Sequence, residues 1–380
     1  MAIECDALVI GGGVAGLSAA AALAPHCRTT VLEAEQGVGH HSSGRSATFY
    51  HLGIGNRIVR ALTRWSAPTF EAEPDEGAPA LSSAKPALWI ARADMLDELT
   101  AIYDGMRAFS DAVYRVGSRE MLEMAPILRV GEGAIVAGAV DATGRKLDAD
   151  ALLQSYVRRL RRSGGELVTG APVTKITREA NRWLVTSQDH CWHTRVVVNA
   201  AGAWADQIAR LAGVRPLGLR SLRRTIISFD PPDGMDVRSW PFVKTATDEF
   251  YMLPEGGRVL ASPADEIPSP PTDAQPEEYD IALAAHRVEE FTTLTISRVA
   301  HRWAGLRSFF ADRTPTAGFA ADAPGFFWLA GQGGYGLQTS PAMAAISASL
   351  ILGSEWPATL AALNVDPSSV SPERMALTSV

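Results

Sequence analysis

Gly11, Gly13 and Gly16 are the first residues in the chain whose types and spacing imply a ligand. They form G-x-G-x-x-G within Gly11-Gly12-Gly13-Val14-Ala15-Gly16, between an aliphatic run and an alanine-rich stretch. The three glycines serve different ends: a tight turn at Gly11, close approach of a pyrophosphate at Gly13, and close strand–helix packing at Gly16. Helix amides at Val14 and Ala15, with the helix dipole, then favour phosphate charge. Glu33 follows 22 residues after Gly11, at the end of a second short β-rich run. A carboxylate there can hold both hydroxyls of an adenosine ribose and would repel a 2′-phosphate. With glycines and acid in register, the expected ligand is an ADP-containing dinucleotide.

Two further stretches extend that ligand. Residues 37–46 read Gly-Val-Gly-His-His-Ser-Ser-Gly-Arg-Ser and offer hydroxyls, imidazoles and a guanidinium beside the pyrophosphate. That inventory suits a flavin cofactor stretched across the loop. Near the other end of the chain, Phe326-Phe327-Trp328-Leu329-Ala330 runs into Gly331-Gln332-Gly333-Gly334-Tyr335-Gly336-Leu337-Gln338-Thr339-Ser340, and a helix is expected from Pro341 to Leu352. Its N-terminus could stabilise negative charge developing on a flavin ring.

The elements that must position these residues follow from periodicity. Ala7–Ile10 and Thr29–Leu32 read as buried strands flanking a helix that stops at Pro25. Apolar spacing predicts amphipathic helices over 56–72, 94–109, 118–125 and 277–293, and one from Asp148, a capping residue, to Arg162, ended by Gly164-Gly165. Strands are expected at 88–91, 135–140, 166–169, 172–178, 182–187, 195–202, 222–229 and 249–253. Pro263 to Pro276, with five prolines, reads as a surface loop and lid candidate. The Arg195–Gly202 strand ends in small residues that admit a close ligand, so the chain returns to its nucleotide-binding sheet after an excursion of about a hundred residues. The fold class is α/β: a discontinuous Rossmann-like cofactor domain (1–48, 145–215 and 300–380) plus a substrate-binding domain with a mainly antiparallel sheet (49–144 and 216–299).

Composition narrows the setting. The 380 residues are 47% hydrophobic and 20% charged, as in an ordinary globular protein. A net charge of -7 with no basic block argues against nucleic acid. Cys5, Cys27 and Cys191 form no CxxC and read as thiols in a reducing compartment. With no signal-like N-terminus and no apolar stretch long enough to span a bilayer, a cytoplasmic location is expected, and no metal site is read.

Two glycine-rich junctions joined by Val198-Asn199-Ala200-Ala201-Gly202-Ala203-Trp204 resemble the D-amino-acid oxidase superfamily of FAD-dependent oxidoreductases, over nearly the whole chain. Gly44-Arg45-Ser46-Ala47, Leu211 to Leu219, Trp303 to Phe309 and Gln332 to Ser340 look most like its bacterial D-arginine dehydrogenase branch. The resemblance implies noncovalent FAD and hydride transfer from a substrate Cα–H to flavin N5. The imine would hydrolyse to a 2-oxo acid and ammonia, and the electron acceptor would be oxygen or a quinone. It puts carboxylate-gripping arginines at Arg224 and Arg307 and an active-site tyrosine at Tyr251. The substrate amine falls near the Gly334 carbonyl and Gln338. FAD contacts are implied at Ala34, His41, Ser42, Ser43, Arg45, Ser46, Ala47, Val173, Ala201, Gly202 and Trp204. Others fall at Gly305, Arg307, Gly333, Gly334, Tyr335, Gly336, Leu337 and Gln338. A guanidinium suits a planar carboxylate because it donates in parallel, and Arg307, in an apolar stretch, needs a partner. Arg223 is the competitor of Arg224 for the same role.

Departures from the resemblance bear on specificity. The acid that would hold a cationic side chain falls at Ala87, and the polar distal residues at Phe49 and Ile54. An apolar, uncharged distal pocket is therefore expected, with neutral D-amino acids preferred and basic ones poor. Lys244 stands where the relative is apolar. It can read a second substrate anion, assist reaction with oxygen near N5, or be a solvent-exposed loop lysine. His41 is expected at the cofactor's phosphates or ribityl chain and His51 at the substrate's border, with covalent attachment through His40 or His41 the minor alternative. An oxidase of glycine, sarcosine or another secondary amine is the alternative within the class. An NAD-dependent dehydrogenase or a non-catalytic flavoprotein are the alternatives outside it, separated by a 450 nm absorption band and by anaerobic bleaching.

Overall fold

The computed structural model describes residues 2–74, 76–188 and 190–374. A six-stranded sheet runs in the order Glu166–Val168, Thr29–Leu32, Ala7–Ile10, Val196–Asn199, Phe326–Ala330, Thr316–Phe319. All its pairings are parallel except the last. The central strands are apolar along their whole length because both faces are covered. Val9, Val31, Val198, Phe327 and Leu329 pack under helices Val14–Leu23, Ala149–Arg162 and Gly336–Leu352. The alternate residues Leu8, Ile10, Leu32, Val197 and Trp328 meet Trp183 and Trp192 of a four-stranded sheet on the other side.

A nine-stranded sheet forms the second body of structure. Its order is Ile267–Pro268, Arg220–Phe229, Arg258–Ser262, Tyr251–Glu255, Phe242–Thr245, Ala87–Ala91, Ala137–Asp141, Val113–Val116, with His301–Phe309 also paired to Arg220–Phe229. It is antiparallel apart from Phe242–Thr245 against Ala87–Ala91. His301–Phe309, grouped with the cofactor segments by sequence, pairs along its length with Arg220–Phe229. It thereby carries one sheet's residues to the edge of the other's ligand site.

Several elements differ from the sequence expectation for physical reasons. The second glycine junction enters its helix at Gly336 rather than at Pro341. Pro341 is tolerated there because the Leu337 carbonyl it leaves free accepts the Ser340 hydroxyl at 2.9 Å. Phe242–Thr245 is a buried strand, too short to show a period. The proline-rich 263–276 stretch is fastened rather than free. Asp265 accepts from Thr225 N (2.7 Å) and Oγ1 (3.0 Å), and Asp273 pairs with Arg45.

Candidate functional site

The first glycine motif forms the floor of an elongated cavity of about 330 Å³. A Cβ on Gly11 would lie 2.5 Å from the Ala200 carbonyl oxygen, and one on Gly16 would lie 2.0 Å from that of Gly11. Both glycines are thus fixed by packing, and Gly16 has no surface on the cavity. Gly13 differs: the nearest atom to its Cβ position is Ser43 Oγ at 3.4 Å, so its bareness serves the cavity. The helix behind it starts without a cap of its own. Ser43 reaches back from the 37–46 loop to accept from Val14 N at 3.0 Å.

Glu33 ends its strand buried, accepting from Gly12 N (2.6 Å) and Glu35 N (2.8 Å) while lining the cavity. Each carboxylate oxygen keeps a lone pair for a ribose hydroxyl. Ala34, His41, Ser42, Ser46, Val173, Ala201, Gly202 and Trp204 line the same space, as do Gly333, Gly334, Gly336 and Leu337. His41 bonds Glu35 (3.0 Å) and rests on Trp204 (4.6 Å between centroids), which sets it at the Glu33 end. Gly39 and His40 of the 37–46 loop and Gln332 of the second glycine junction also line the wall, as do Ala171, Leu306 and Ser308, which sequence reading did not single out. Ala171 and Leu306 carry no chemical signal.

Four expected contacts serve the frame instead. Arg45 turns away from the cavity to Asp273 and the carbonyls of His40 (3.2 Å), Ala274 (3.0 Å) and Ala304 (3.3 Å). Tyr335 is buried, donating to the Arg313 carbonyl. The Gln338 amide brackets His51, accepting from its N–H at 3.3 Å and donating to its carbonyl (3.2 Å) and to Thr63 Oγ1 (2.7 Å). Its side chain holds the site's shape and is not turned to a ligand. Gly305 makes room: a Cβ there would lie 3.1 Å from Arg307 Nη1. Ala47 does not line the cavity.

At the far end of the cavity the two sheets meet. Strand alternation separates the neighbouring arginines. Arg223 faces the Glu278–Phe291 helix, bonded to Asp280 at 2.8 Å and paired with Glu277. Arg224 points to the opposite face, donating to the Asp265 carbonyl (2.7 Å) and Glu266 (3.1 Å). Arg307, whose register partner is Leu222, shares the face of Arg224. It is 7% exposed and lines the cavity beside Gly334, whose Cβ position is 3.9 Å from Arg307 Cδ and 3.7 Å from Ile54 Cδ1. Among the described residues Arg307 has no acidic partner. Its guanidinium meets only the Arg45 and Leu306 carbonyls, at 3.4 Å each. Burial lowers its pKa, partly opposed by nearby Tyr251.

Trp89, Lys244, Tyr251 and Ser262 are register neighbours across four strands and share one face. Phe242 stacks on Phe49 (4.6 Å), His51 (5.3 Å) and Tyr251 (5.6 Å), giving an aromatic wall where an apolar pocket was expected. The wall is not uncharged. Lys244 is 8% exposed and paired with Asp248, which corrects the exposed-lysine reading. Burial would raise the Asp248 pKa, but Lys244 and Arg224 hold it below the ordinary range. His51 is fully enclosed, and burial together with the Lys244 charge pushes its pKa down to about 3.

The cavity therefore suits a long dinucleotide: Glu33 would take a ribose, Gly13 would leave room for a pyrophosphate, and Gly334 and Arg307 line the rest of the wall. This fit defines a flavin-dinucleotide oxidoreductase. A match to the DAO family model, described as FAD dependent oxidoreductase, covers residues 6–350, and the chain belongs to that family. Hydrogen cyanide synthase subunit HcnC of Pseudomonas aeruginosa is 26% identical over 193 residues, 50% of this chain and 45% of that protein. The chain spans about half the length of the curated relatives it matches. The fold is shared with L-alpha-glycerophosphate oxidase from Mycoplasma pneumoniae, solved with FAD bound, at TM-score 0.83 and 18% identity over 93% of this chain and 97% of that one. Glycine oxidase from Geobacillus kaustophilus matches at TM-score 0.80 and 20% identity over 93% and 96%. No helix among the described residues is long and apolar enough to cross a membrane.

Proposed function

We propose that the chain oxidises an amino acid at the carbon bearing its nitrogen, giving an imine that water converts to a 2-oxo acid and ammonia. The observation that carries this reading is Arg307, a buried guanidinium without an acid, at the end of the cofactor cavity beside Gly334 and Tyr251. A desolvated cation of this kind requires an anion. A substrate carboxylate held by its two parallel donors would fix the adjacent carbon toward the cavity. Arg224, already shared with Glu266, is the weaker second grip. Tyr251 offers a neutral hydrogen bond, and the Gly334 carbonyl can accept from the substrate amine. Gly13, Ser43, Glu33 and Gly334 would hold FAD, which when bound would supply the two-electron acceptor.

D-configuration is proposed from the positional likeness to the D-arginine dehydrogenase branch. A basic side chain would have to lie among Phe49, Phe242 and His51 with no carboxylate at Ala87, so basic substrates are disfavoured. A second reading, a small or secondary amine such as glycine or sarcosine, is favoured by the tightness of this wall. A Cβ on Gly53 would lie 2.1 Å from Trp89 Cζ2. Anaerobic mixing with D-, L- and N-methyl amino acids tests both. Bleaching by a D-amino acid other than D-Arg is expected, bleaching only by glycine or sarcosine supports the second reading, and no bleaching by any amine rejects both.

A further inference from the structure

Lys244 and Arg307 flank Tyr251: one is its register neighbour, the other its charged neighbour. We infer that the site takes a short amino acid carrying a second carboxylate, read by Lys244 while Arg307 holds the first. This rests on the amino-acid reading above and extends it.

Two observations converge on that second locus. Lys244 is buried, and its ammonium has three donors, of which only one goes to Asp248; among the described residues it makes no other polar contact. Two buried polar atoms beside it have no partner, Trp89 Nε1 and His51 Nδ1. Their rings lie 5.0 Å apart in T-shaped contact, Trp89 is the register partner of Lys244, and His51 feels its charge. Orphaned buried polar atoms are rare in folded proteins and imply a missing partner. Arg224 and Arg313 share Glu266, Lys244 has Asp248 and the Asp265 carboxylate lies near Arg224 and Arg307, so three cations meet three carboxylates and Arg307 alone is in excess. The Asp265 carboxylate is engaged by Thr225.

Spare donors on a buried ammonium select an anionic acceptor. A short chain is implied because Lys244 is the register partner of Tyr251, which is itself a near neighbour of Arg307. Asp248, two-thirds exposed at its side chain and in a left-handed turn (φ 61°), is the internal anion that a bound carboxylate would compete with.

The test titrates the FAD-loaded protein with unreactive acids, following the flavin absorption band and Tm. Succinate and malonate are compared with butyrate and propionate. At least tenfold tighter binding of the dicarboxylates is expected. Lys244→Met should abolish the difference while leaving monocarboxylate Kd within about threefold, and Asp248→Asn should enlarge it. Equal wild-type affinities overturn the inference without any variant, and so does a preference that survives Lys244→Met. If neither class of acid binds, the Arg307 reading itself fails. If monocarboxylates bind and dicarboxylates bind no better, only the Lys244 inference fails.

Discussion

At the scale of single residues, the site is organised by what lacks a partner. Arg307 makes only long contacts to two carbonyls, so removing it deprives the fold of little and the ligand of much. Charge-assisted hydrogen bonds contribute about 1.5–3 kcal/mol each, so losing two should lower kcat/KM by roughly 10²–10⁴. Arg307→Met should therefore keep its bound FAD, read at 450 nm, while that loss appears only for substrates with a carboxylate. An equal loss for a carboxylate-free amine would contradict the role. His51 yields a prediction on stability. Its folded value of about 3 lies below the ordinary 6.5, so both states are neutral above pH 6.5. Between 6.5 and 3 the unfolded chain takes up a proton that the folded chain refuses, and stability falls as pH falls, by roughly 2–3 kcal/mol at pH 4.5. Urea unfolding at pH 7.5 and 4.5 should show a shallower acid loss in His51→Phe than in the parent, by about one proton.

At the scale of elements, the first strand–turn–helix unit separates packing from binding. A Cβ on Gly16 collides with the turn at 2.0 Å, whereas one on Gly13 finds open cavity. Gly16→Val should fail to fold or lose several kcal/mol through overpacking. Gly13→Val should keep its circular dichroism and weaken FAD binding at least tenfold. A Gly13→Val protein that binds FAD normally would remove the pyrophosphate from this turn. This unit was fully legible in the sequence, because glycine spacing, strand, helix and acid are all local. The Asp148 cap was equally legible: its side chain accepts from Ala151 N at 2.8 Å. The nine-stranded sheet was less so. Phe242–Thr245 is short, buried and paired at long range, so Lys244 gave no sign that it sat inside. Sequence likewise could not say that Arg223 and Arg224 divide between an internal acid cluster and the site, since that depends on the phase of the strand.

At the scale of the molecule, Arg45 joins parts that the chain order keeps apart. Its side chain fastens the 37–46 loop to Asp273 and Ala274 of the proline-rich stretch and to Ala304. Its own carbonyl accepts from Trp303 Nε1 at 3.3 Å and Arg307 Nη2 at 3.4 Å. The cofactor loop, the proline-rich stretch that supplies the edge strand of the nine-stranded sheet and Arg307, proposed above to grip the substrate carboxylate, thus share one residue that does not line the cavity. Because its bonds to the Ala274 and Ala304 carbonyls are half-buried while those to His40 and Asp273 are exposed, the stabilisation comes mainly from the former, at about 1 kcal/mol each. Arg45→Ala should therefore lower stability by about 2–3 kcal/mol and make residues 263–276 more sensitive to protease. FAD affinity should fall as well, since the loop that presents Ser42 and Ser43 loses its anchor. Bound FAD stabilises the folded state by mass action, so excess FAD should recover most of the Tm in Arg45→Ala and restore protection of the proline-rich stretch. An Arg45→Ala protein with parental FAD affinity and an unprotected proline-rich stretch would show that the two regions move independently.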